Sequence, residues 1–427
     1  MKFQKPKGTY DILPDDSAKR NFLYQKIRTV CNNFNYSEIL TPAFEKTELF
    51  RRGIGETSDI VSKEMYSFNN DEFTLRPELT AGVIRAYLEN NLYNISPVTK
   101  LFYIANMFRR ERPQAGRFRE FWQFGIELIG SNDVHSDAEV ICLGVQLLNE
   151  FGLLNVTTKI NSIGSPAERS KYLEILKEYL ISYKSDLSEI SLIRLEKNPL
   201  RILDTKDSRE LEILSSAPVL YDYLSTDTKR RFEKLLAILD NLNVRFETDY
   251  RLVRGFDYYT DTAFEIHSGE LGAQNSVLGG GRYNNLIEQF GGKPTPAIGF
   301  GLGIERLLIM IGKSNYKFSQ KNNPDLYVGY TDETAQNFAF GIAIKLRISG
   351  LKVEIDFLNR SVKSQLKEAN RLNVTFSIVI GENEINSGFV ELKNMHDGKS
   401  LKIKLSPNEI YNFISKYENE TSTTGNA

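Results

Sequence analysis

Glycine occupies every second position in the segment Gly299–Gly303, which leads directly into Glu305 and Arg306. Because side chains of a strand alternate between its two faces, the three glycines share one face and the apolar residues between them fill the other. A strand that is bare on one face lets a flat ligand lie against its backbone. A barrel bend or a bulge also uses glycine, but three glycines in register with an arginine at the end favour a ligand-binding floor.

A second strand pattern lies upstream. In Phe121–Leu128 the even positions are apolar, so Gln123, Gly125 and Glu127 share the opposite face. The preceding segment Phe108–Arg119 contains five arginines and the run Pro-Gln-Ala-Gly, which predicts a cationic hairpin loop. A solvated run of charge is the ordinary explanation of such a stretch. Guanidinium groups also grip phosphates bidentately, and the polar strand face beside them favours a phosphate-bearing substrate.

Two later segments carry further candidate ligand groups, Arg254–Tyr259 and Gly279–Tyr283. The glycines of the second segment do not form the phosphate loop of nucleotide hydrolases, because no Gly-Lys-Ser/Thr follows them. Their spacing also differs from that of a dinucleotide-binding fingerprint. For one of the two tyrosines in the first segment, an ordinary strand aromatic is the better interpretation.

The segment Leu75–Gly82 is predicted to end a strand and to start a helix, with Glu78 or Thr80 near the helix N-terminus. The helix dipole stabilises a carboxylate at that position and keeps it ionised. A ligand-binding carboxylate and a plain helix cap are equally good interpretations of this segment alone.

Composition excludes several classes of protein. The chain has 427 residues, of which 41% are hydrophobic, as expected for a globular protein of two or three domains. The formal charge of −1 argues against a uniformly basic surface, so nucleic-acid contacts must come from local patches. The two cysteines are far apart, which excludes a disulfide framework. The three histidines are also widely spaced, which excludes a zinc site of the usual spacing and gives a serine–histidine hydrolase little support. Without a signal peptide or a membrane-spanning run, the sequence predicts a cytoplasmic protein with no membrane contact.

Glycine usage indicates the domain organisation. No glycine occurs between Gly164 and Gly255, and Ser165-Pro166-Ala167-Glu168 combines a capping box with a first-turn proline. This predicts a helical insertion at 166–245 between two parts of one domain, 1–165 and 246–322. The rest of the chain is predicted to form a small α/β domain at 325–417. Its strands are expected near 326–330, 352–357, 376–380 and 389–393, and its helices near 334–348 and 362–372. The last residues, 418–427, are predicted to be a disordered tail.

Taken together, these segments resemble the histidyl-tRNA synthetases, a family of class II aminoacyl-tRNA synthetases. Three stretches match motifs 1, 2 and 3 of the whole class: Glu38–Pro42, Phe108–Glu127 and Gly299–Arg306. The segments Arg254–Tyr259 and Gly279–Tyr283 match the histidine family specifically, and Lys7–Pro14 matches it near the N-terminus. The match runs from about Lys5 to the end of the C-terminal domain in the family's domain order.

The resemblance implies a multidomain protein of mixed α+β and α/β class. Its catalytic domain would hold an antiparallel six-stranded sheet flanked by helices, followed by the helical insertion and a C-terminal α/β domain that contacts the anticodon. Motif 1, with Pro42 at the position of the family proline, implies a homodimer. The implied reaction uses ATP and Mg²⁺ to convert L-histidine to histidyl-adenylate, and then transfers the histidyl group to the 3′ end of tRNA(His).

Carried over residue by residue, the resemblance implies specific roles. The catalytic residues would be Arg109, Arg254 and Arg306. The histidine-binding residues would be Glu78, Leu79, Thr80, Gln123, Glu127, Tyr258 and Tyr259. The ATP-binding residues would be Arg109, Arg254, Gly301, Gly303, Arg306 and Tyr283. The tRNA acceptor end would meet Arg112, Gln114 and Arg117, although Ala115 stands where family members often carry a longer or basic residue. No side chain is assigned to the metal.

Two other functions fit parts of this pattern. One is a catalytically inactive paralogue that acts as a histidine-binding regulatory subunit. Such relatives typically lack the C-terminal domain and lose the family arginine, whereas this chain has Arg254, both tyrosines and the full domain. The other is a non-enzymatic RNA-binding module, which the intact motifs 2 and 3 disfavour.

Overall fold

The computed structural model describes residues 3–55, 58, 60–113, 116–269, 276–314, 316–318 and 323–424. The chain forms two compact units, Met1–Phe318 and Ser319–Ala427. The division lies a few residues before the boundary that the sequence predicted between 322 and 325.

The first unit contains both strands and helices. Its strands are β1 (Ser37–Glu38), β2 (Phe44–Lys46), β3 (Tyr66–Phe68), β4 (Phe73–Leu75), β5 (Thr99–Phe108), β6 (Glu120–Ile129), β7 (Val156–Ser162), β8 (Phe246–Thr248), β9 (Thr260–Ser268), β10 (Ser276–Arg282) and β11 (Ala297–Gly303). Its α-helices are α1 (Pro14–Asn33), α2 (Thr47–Ile54), α3 (Thr80–Glu89), α4 (Val134–Asn149), α5 (Pro166–Ile181), α6 (Glu189–Lys197), α7 (Ser208–Ser215), α8 (Thr226–Asn241), α9 (Leu286–Gln289) and α10 (Ile304–Lys313). Short 3-10 turns lie at Leu92–Asn94, Lys184–Asp186, Pro199–Asp204 and Leu220–Tyr223, and a π-helical turn at Ile60–Glu64.

The central sheet has the strand order β1-β5-β6-β11-β10-β9-β7-β8. Its six inner strands are antiparallel to one another throughout. The short edge strands β1 and β8 pair in parallel with β5 and β7. The predicted six-stranded antiparallel sheet is therefore confirmed. The two edge strands were not predicted, because two or three residues are too short to show a periodicity.

The alternation seen in the sequence separates the two faces of this sheet. On one face, Phe124, Ile126, Phe300 and Leu302 are buried in a core that helix α4 covers. Full burial of each such side chain stabilises the fold by roughly 1.5–3 kcal/mol. The opposite face carries the glycines and polar residues of the same strands, and the candidate site forms there.

A small antiparallel sheet and a helical segment complete the first unit. The small sheet has the order β2-β4-β3 and precedes helix α3. The helical segment runs from α5 to α8, inside the predicted insertion. Its first helix begins with the predicted capping box: Ser165 Oγ accepts from the backbone N–H of Glu168 at 3.3 Å, and Glu168 Oε2 accepts from the Ser165 N–H at 2.8 Å.

The second unit is an α/β domain, as predicted. It contains β12 (Leu326–Tyr330), β13 (Val353–Ile355), β14 (Phe376–Ile380), β15 (Phe389–Asn394) and β16 (Ser400–Lys404), with helices α11 (Glu333–Ile348), α12 (Val362–Arg371), α13 (Glu382–Ser387) and α14 (Pro407–Thr424). The strand order is β13-β12-β14-β15-β16, in which β13, β12 and β14 are parallel and the last two pairings are antiparallel. The predicted strands are confirmed, β12 and β14 to the residue.

The C-terminal end of this unit differs from the prediction. Helix α14 continues to Thr424, so residues 418–424 are helical rather than part of a disordered tail, and 425–427 lie outside the described residues. The helix is held by Ile410 and Ile414, which are fully buried in the core of the unit. Polar composition alone predicted the tail, and composition does not show how far an anchored helix propagates.

Candidate active site

A cavity of about 580 Å³ opens on the polar face of the central sheet. Arg109, Arg254 and Arg306 all line it, although they are distant in sequence. The hairpin β5–β6 brings Arg109, the segment before β9 brings Arg254, and the first turn of α10 brings Arg306. Of the predicted histidine-binding residues, those in the wall are Glu78, Thr80, Gln123, Glu127, Tyr258 and Tyr259. The sheet thus gathers the predicted phosphate and amino-acid ligands in one cavity.

The glycines of β11 make room for side chains of the neighbouring strand. A Cβ at Gly299 would lie 2.0 Å from Glu127 Oε2, and a Cβ at Gly301 would lie 2.1 Å from Gln123 Nε2. At Gly303 the nearest atom is 3.9 Å away. The sequence predicted a bare floor. The structure instead shows that two of the three glycines seat polar side chains of β6, while Gly301 and Gly303 also line the cavity.

Glu127 is the most strongly enclosed carboxylate of the wall, with 1% of its surface exposed. Thr80 Oγ1 donates to Glu127 Oε1 at 2.8 Å, and the Tyr283 hydroxyl donates a short hydrogen bond to Oε2. Burial raises the pKa of Glu127 to about 8, and these hydrogen bonds oppose the rise. A carboxyl group with a pKa in this range can form a hydrogen bond or an ion pair with a ligand that carries a donor group or a positive charge.

Glu78 both caps helix α3 and lines the cavity, so the two interpretations left open by the sequence are compatible. Its carboxylate accepts from the backbone N–H groups of Thr80 and Ala81 at 2.7 and 3.0 Å. Burial nevertheless raises the pKa of Glu78 above its usual value. The backbone N–H groups and the charge of Arg109 act in the opposite direction and favour the ionised form.

Tyrosine rings form the side of the cavity next to Glu127. The ring centroids of Tyr258 and Tyr259 lie 4.6 Å apart, and that of Tyr283 lies 5.7 Å from Tyr258 in an edge contact. Tyr283 was expected at the ATP. Its hydroxyl instead reaches Glu127, because β10 runs next to β11 and turns its end toward that carboxylate. Tyr283 therefore contacts the carboxyl group that was predicted to bind histidine.

Arg254 is held by a carboxylate that sequence reasoning missed. Its Nη1 donates to Glu265 Oε1, and His267 Nε2 lies 2.9 Å from the other oxygen of the same carboxylate. Burial would raise the pKa of Glu265, but Arg254 and His267 together lower it to about 2. Gly279 leaves the space for this arginine, since a Cβ there would lie 2.3 Å from Arg254 Nη2. Among the described residues, the buried Nε of Arg254 has no hydrogen-bond partner.

The other two arginines are fixed by backbone carbonyls. Arg109 Nε donates to the Pro77 carbonyl at 2.8 Å, and Arg306 Nη1 donates to the Ser276 carbonyl at 3.1 Å. Burial lowers the pKa of Arg306, and the neighbouring Arg117 adds to that effect. A cavity that concentrates cations in this way suits a polyanion.

Some predicted residues lie elsewhere. Leu79 does not line the cavity; it is 1% exposed and packs in an apolar cluster at the start of α3. Arg117 lines the cavity, whereas Arg112 is exposed on the loop outside the wall. Gln114 lies outside the described residues.

The structure also adds wall residues that were not predicted. Glu265 and His267 share one face of β9, and the alternation with Phe264 and Ile266 is a signal that could have revealed them. Asp204 and Lys206 come from the helical insertion. No local pattern marks them, because their position depends on how the insertion packs.

Comparison with known proteins agrees with this geometry. A model of the family described as Histidyl-tRNA synthetase matches residues 8–307. The chain belongs to the histidyl-tRNA synthetase family. It is therefore an enzyme of the aminoacyl-tRNA ligase class, which confirms the identification made from the sequence motifs. A second model, described as Anticodon binding domain, matches residues 319–417.

Individual members of the family are similar over almost the whole chain. A histidine–tRNA ligase of Halothermothrix orenii is 48% identical over 409 residues, covering 95% of this chain and 98% of the relative. One of Clostridium novyi is 43% identical over 420 residues, covering 97% and 100%. The crystal structure of apo histidyl-tRNA synthetase from S. aureus superposes with a TM-score of 0.80 at 36% identity, covering 94% of this chain and 97% of that one. These relatives favour the ligase over the regulatory alternative.

Within the described residues, no group of three or more histidine, cysteine, aspartate or glutamate side chains is arranged to hold a metal ion. No helix in that part of the chain is both long and apolar enough to cross a membrane.

Proposed function

We propose that this chain activates L-histidine with ATP, forming histidyl-adenylate and pyrophosphate, and then transfers the histidyl group to the 3′ end of tRNA(His). In the first step the histidine carboxylate attacks the α-phosphate and displaces pyrophosphate. The observation that carries the proposal is that Arg109, Arg254 and Arg306 line the same cavity as the buried Glu127. In-line attack at phosphorus needs mainly positioning and charge stabilisation, so guanidinium groups suffice without a nucleophilic side chain.

We assign the arginines to the triphosphate. Arg109 and Arg254 lie on the α-phosphate from opposite sides, and Arg306 lies toward the γ-phosphate, with Gly301 and Gly303 beneath the nucleotide. The ion pair with Glu265 and the space that Gly279 leaves support the assignment of Arg254, because they hold its guanidinium at the cavity wall. Each such cation lowers the barrier by about 3 kcal/mol, by analogy with the removal of one oxyanion donor.

We assign the opposite end of the cavity to histidine. Glu127, with Tyr259 or Tyr283, would pair with the two imidazole nitrogens, while Glu78, Thr80 and Gln123 would hold the ammonium group. The hydrogen bonds of Glu127 to Thr80 and Tyr283 support this division, because they fix the carboxylate before the ligand arrives. An isosteric amino acid that could not hydrogen-bond at both ring positions would leave a buried carboxyl unpaired and be rejected.

Mg²⁺ fits this site as a partner of ATP. The absence of a cluster of three metal-ligating side chains in the described residues suits an ion that takes most of its ligands from phosphates and water. Glu265 lines the cavity, but Arg254 and His267 engage both of its oxygens, so no side chain is assigned to the ion. The ion would neutralise negative charge on the triphosphate, in addition to the charge that the arginines neutralise.

The tRNA would meet two parts of the chain. The acceptor end would lie against the arginine-rich hairpin loop, where Arg112 and Arg117 are both exposed. The unit Ser319–Ala427 would contact the anticodon, in line with the Anticodon binding domain model that matches 319–417. Phosphate contacts by arginine position the RNA and make its binding depend on salt.

We further propose that the enzyme is a cytoplasmic homodimer that pairs through motif 1. The rings of Phe44, Phe68 and Phe73 form an aromatic cluster on the small sheet, close after Pro42, with neighbouring centroids 5.8–5.9 Å apart. Phe44 is 50% exposed and Phe68 is 43% exposed. An exposed apolar cluster of this kind is typical of a protein interface. Light scattering would show twice the mass of 48.8 kDa for the dimer.

The exchange of labelled pyrophosphate into ATP tests the activity. Histidine-dependent exchange is expected, together with histidylation of tRNA(His). Binding of histidine without exchange would instead point to the regulatory subunit. RNA binding without either reaction would point to a non-enzymatic module.

A further inference from the structure

The N-terminal segment, residues 6–12, contains a motif that the proposed mechanism does not use. In the structure it lies across the base of the arginine loop, of which residues 109–113 and 116–119 are described. The Arg109 N–H donates to the Arg119 carbonyl at 2.9 Å, and the Arg119 N–H donates to the Gly8 carbonyl at 2.8 Å. Gly8 has a φ of +90°, and a Cβ there would lie 2.8 Å from Arg119 Cγ and 3.0 Å from Pro113 Cγ. The segment therefore fits directly against the loop.

Tyr10 connects this segment to two walls of the cavity. Its ring packs on Phe118 of the arginine loop, with centroids 4.7 Å apart. Its hydroxyl donates to Glu305 Oε1 at 2.5 Å and accepts from Arg20 Nη2, also at 2.5 Å. Arg20 in addition donates directly to Glu305 at 3.0 Å. Phe118 and Glu305 both line the cavity, so Tyr10 connects the arginine loop to the start of α10.

Glu305 is the point at which these contacts converge. It is 6% exposed, and both of its oxygens accept from the backbone N–H of Trp122 at 3.1 Å. It directly precedes Arg306, and Trp122 directly precedes Gln123. Burial and the charge of Glu305 raise the pKa of Tyr10, so the phenol stays protonated and keeps donating. One carboxylate thus joins the N-terminal segment, β6 and α10.

The arginine loop needs such a tether for an electrostatic reason. The turn of the loop at Gly116 lies against Arg306, because a Cβ at Gly116 would be 3.6 Å from Arg306 Cγ. Arg117 and Arg109 both act to lower the pKa of Arg306, which means that the loop brings like charges to this arginine. Glu111 offsets part of the repulsion, 3.4 Å from Arg117 and 3.7 Å from Arg109. Like charges held close cost free energy unless other contacts compensate.

We propose that Gly8 and Tyr10 form a positioning clamp that holds the arginine loop against Glu305, so that the loop arginines and Arg306 meet ATP at a fixed spacing. Tyr10 is a positioning residue that is not assigned to ATP or histidine. It acts through its contacts with Phe118 and Glu305. The clamp rests on the proposed ligase function and deepens it. It predicts that the N-terminal segment affects ATP and leaves histidine binding alone, because Glu127 and Thr80 make no contact with it among the described hydrogen bonds.

The variant Tyr10→Phe tests the clamp, since it keeps the ring contact with Phe118 and removes the hydroxyl. The matched control is Tyr24→Phe, whose hydroxyl accepts from the same Arg20 at 3.4 Å without contacting Glu305 or the loop. We expect the KM for ATP in pyrophosphate exchange to rise about three- to tenfold in Tyr10→Phe, the factor for one lost hydrogen bond. The KM for histidine and the Tm of the control should remain at the values of the unmodified enzyme.

Limited trypsin digestion supplies a readout that does not depend on activity. Cleavage after the arginines of the loop should be faster in Tyr10→Phe than in the unmodified enzyme or in Tyr24→Phe. Equal cleavage rates in all three would overturn the clamp, as would a KM for histidine that rises as much as that for ATP. If the unmodified enzyme showed no exchange at all, the ligase function would fail, whereas the cleavage comparison would still decide whether the segment holds the loop.

Discussion

The carboxylate of Glu127 occupies the space beside Gly299, its direct partner in the neighbouring strand. Strands β6 and β11 place the two residues opposite each other. A Cβ at position 299 would lie 2.0 Å from Glu127 Oε2 and 2.3 Å from the Ile126 carbonyl. Neither atom can move easily, because Thr80 and Tyr283 hold the carboxylate and the carbonyl belongs to the sheet. The glycine therefore determines where the proposed imidazole ligand sits.

Gly299→Ala should displace Glu127 and so raise the KM for histidine at least about tenfold, the factor expected when one hydrogen bond to a charged ligand is lost. The KM for ATP should change much less, because the arginines do not contact this position. Gly312→Ala is the matched control, since its Cβ would meet nothing within 4 Å. Pyrophosphate exchange at varied histidine and ATP gives both constants. An unchanged KM for histidine would mean that Glu127 does not bind the amino acid.

The raised pKa of Glu127 predicts a dependence of stability on pH. The usual pKa of 4.5 applies to the unfolded chain, and burial raises it to about 8 in the folded one. Between these values the folded protein holds a proton that the unfolded chain has released. The free energy of unfolding should therefore fall as pH rises, by up to about 1.4 kcal/mol per pH unit from this group.

Glu127→Gln isolates that contribution. Its amide cannot ionise, so its free energy of unfolding should fall less steeply than that of the unmodified protein between pH 5 and 8. Urea unfolding of both proteins across this range measures the difference. Parallel curves would show that Glu127 titrates at its ordinary value in the folded state.

Sequence patterns found most of the site because the strands that build it alternate regularly. The period of two in 121–128 and 299–303 placed Gln123, Glu127 and the glycines on one face, and the central sheet confirms that placement. The neighbours across strands could not be read in the same way. That Tyr283 reaches Glu127, and that Glu265 holds Arg254, depends on β9 and β10 joining the sheet next to β11.

Three other differences from the prediction have the same kind of cause. Leu79 follows Glu78 in sequence, yet the turn into α3 sends its side chain into an apolar cluster. Asp204 and Lys206 reach the cavity from a helical insertion whose packing no short motif encodes. The predicted tail fails because Ile410 and Ile414 anchor a helix that then runs through polar residues. In each case a contact distant in sequence, rather than a local propensity, decides the position.

Arg254→Ala should reduce the rate of pyrophosphate exchange by about a hundredfold or more, since it removes one cation from the transition state of attack at the α-phosphate. Histidine binding, followed by equilibrium dialysis, should survive. Arg251→Ala, which alters an exposed arginine outside the cavity wall, serves as the control. If exchange by the Arg254 variant matched that of the control, Arg254 would have no part in catalysis.

A chain that ends at Phe318 should keep histidine-dependent pyrophosphate exchange while charging tRNA poorly. The first unit holds all three arginines and Glu127, and its main core includes no residue of the second unit. The second unit has a separate core around Phe376 and Ile414. If that unit serves the anticodon, its loss should raise the KM for tRNA(His) by tenfold or more, since the energy of its RNA contacts disappears, while the KM for ATP stays constant. Parallel assays of exchange and of aminoacylation separate the two effects. Simultaneous loss of both activities in a truncated protein that retains its far-UV circular dichroism would mean that the second unit supports the catalytic unit rather than the RNA.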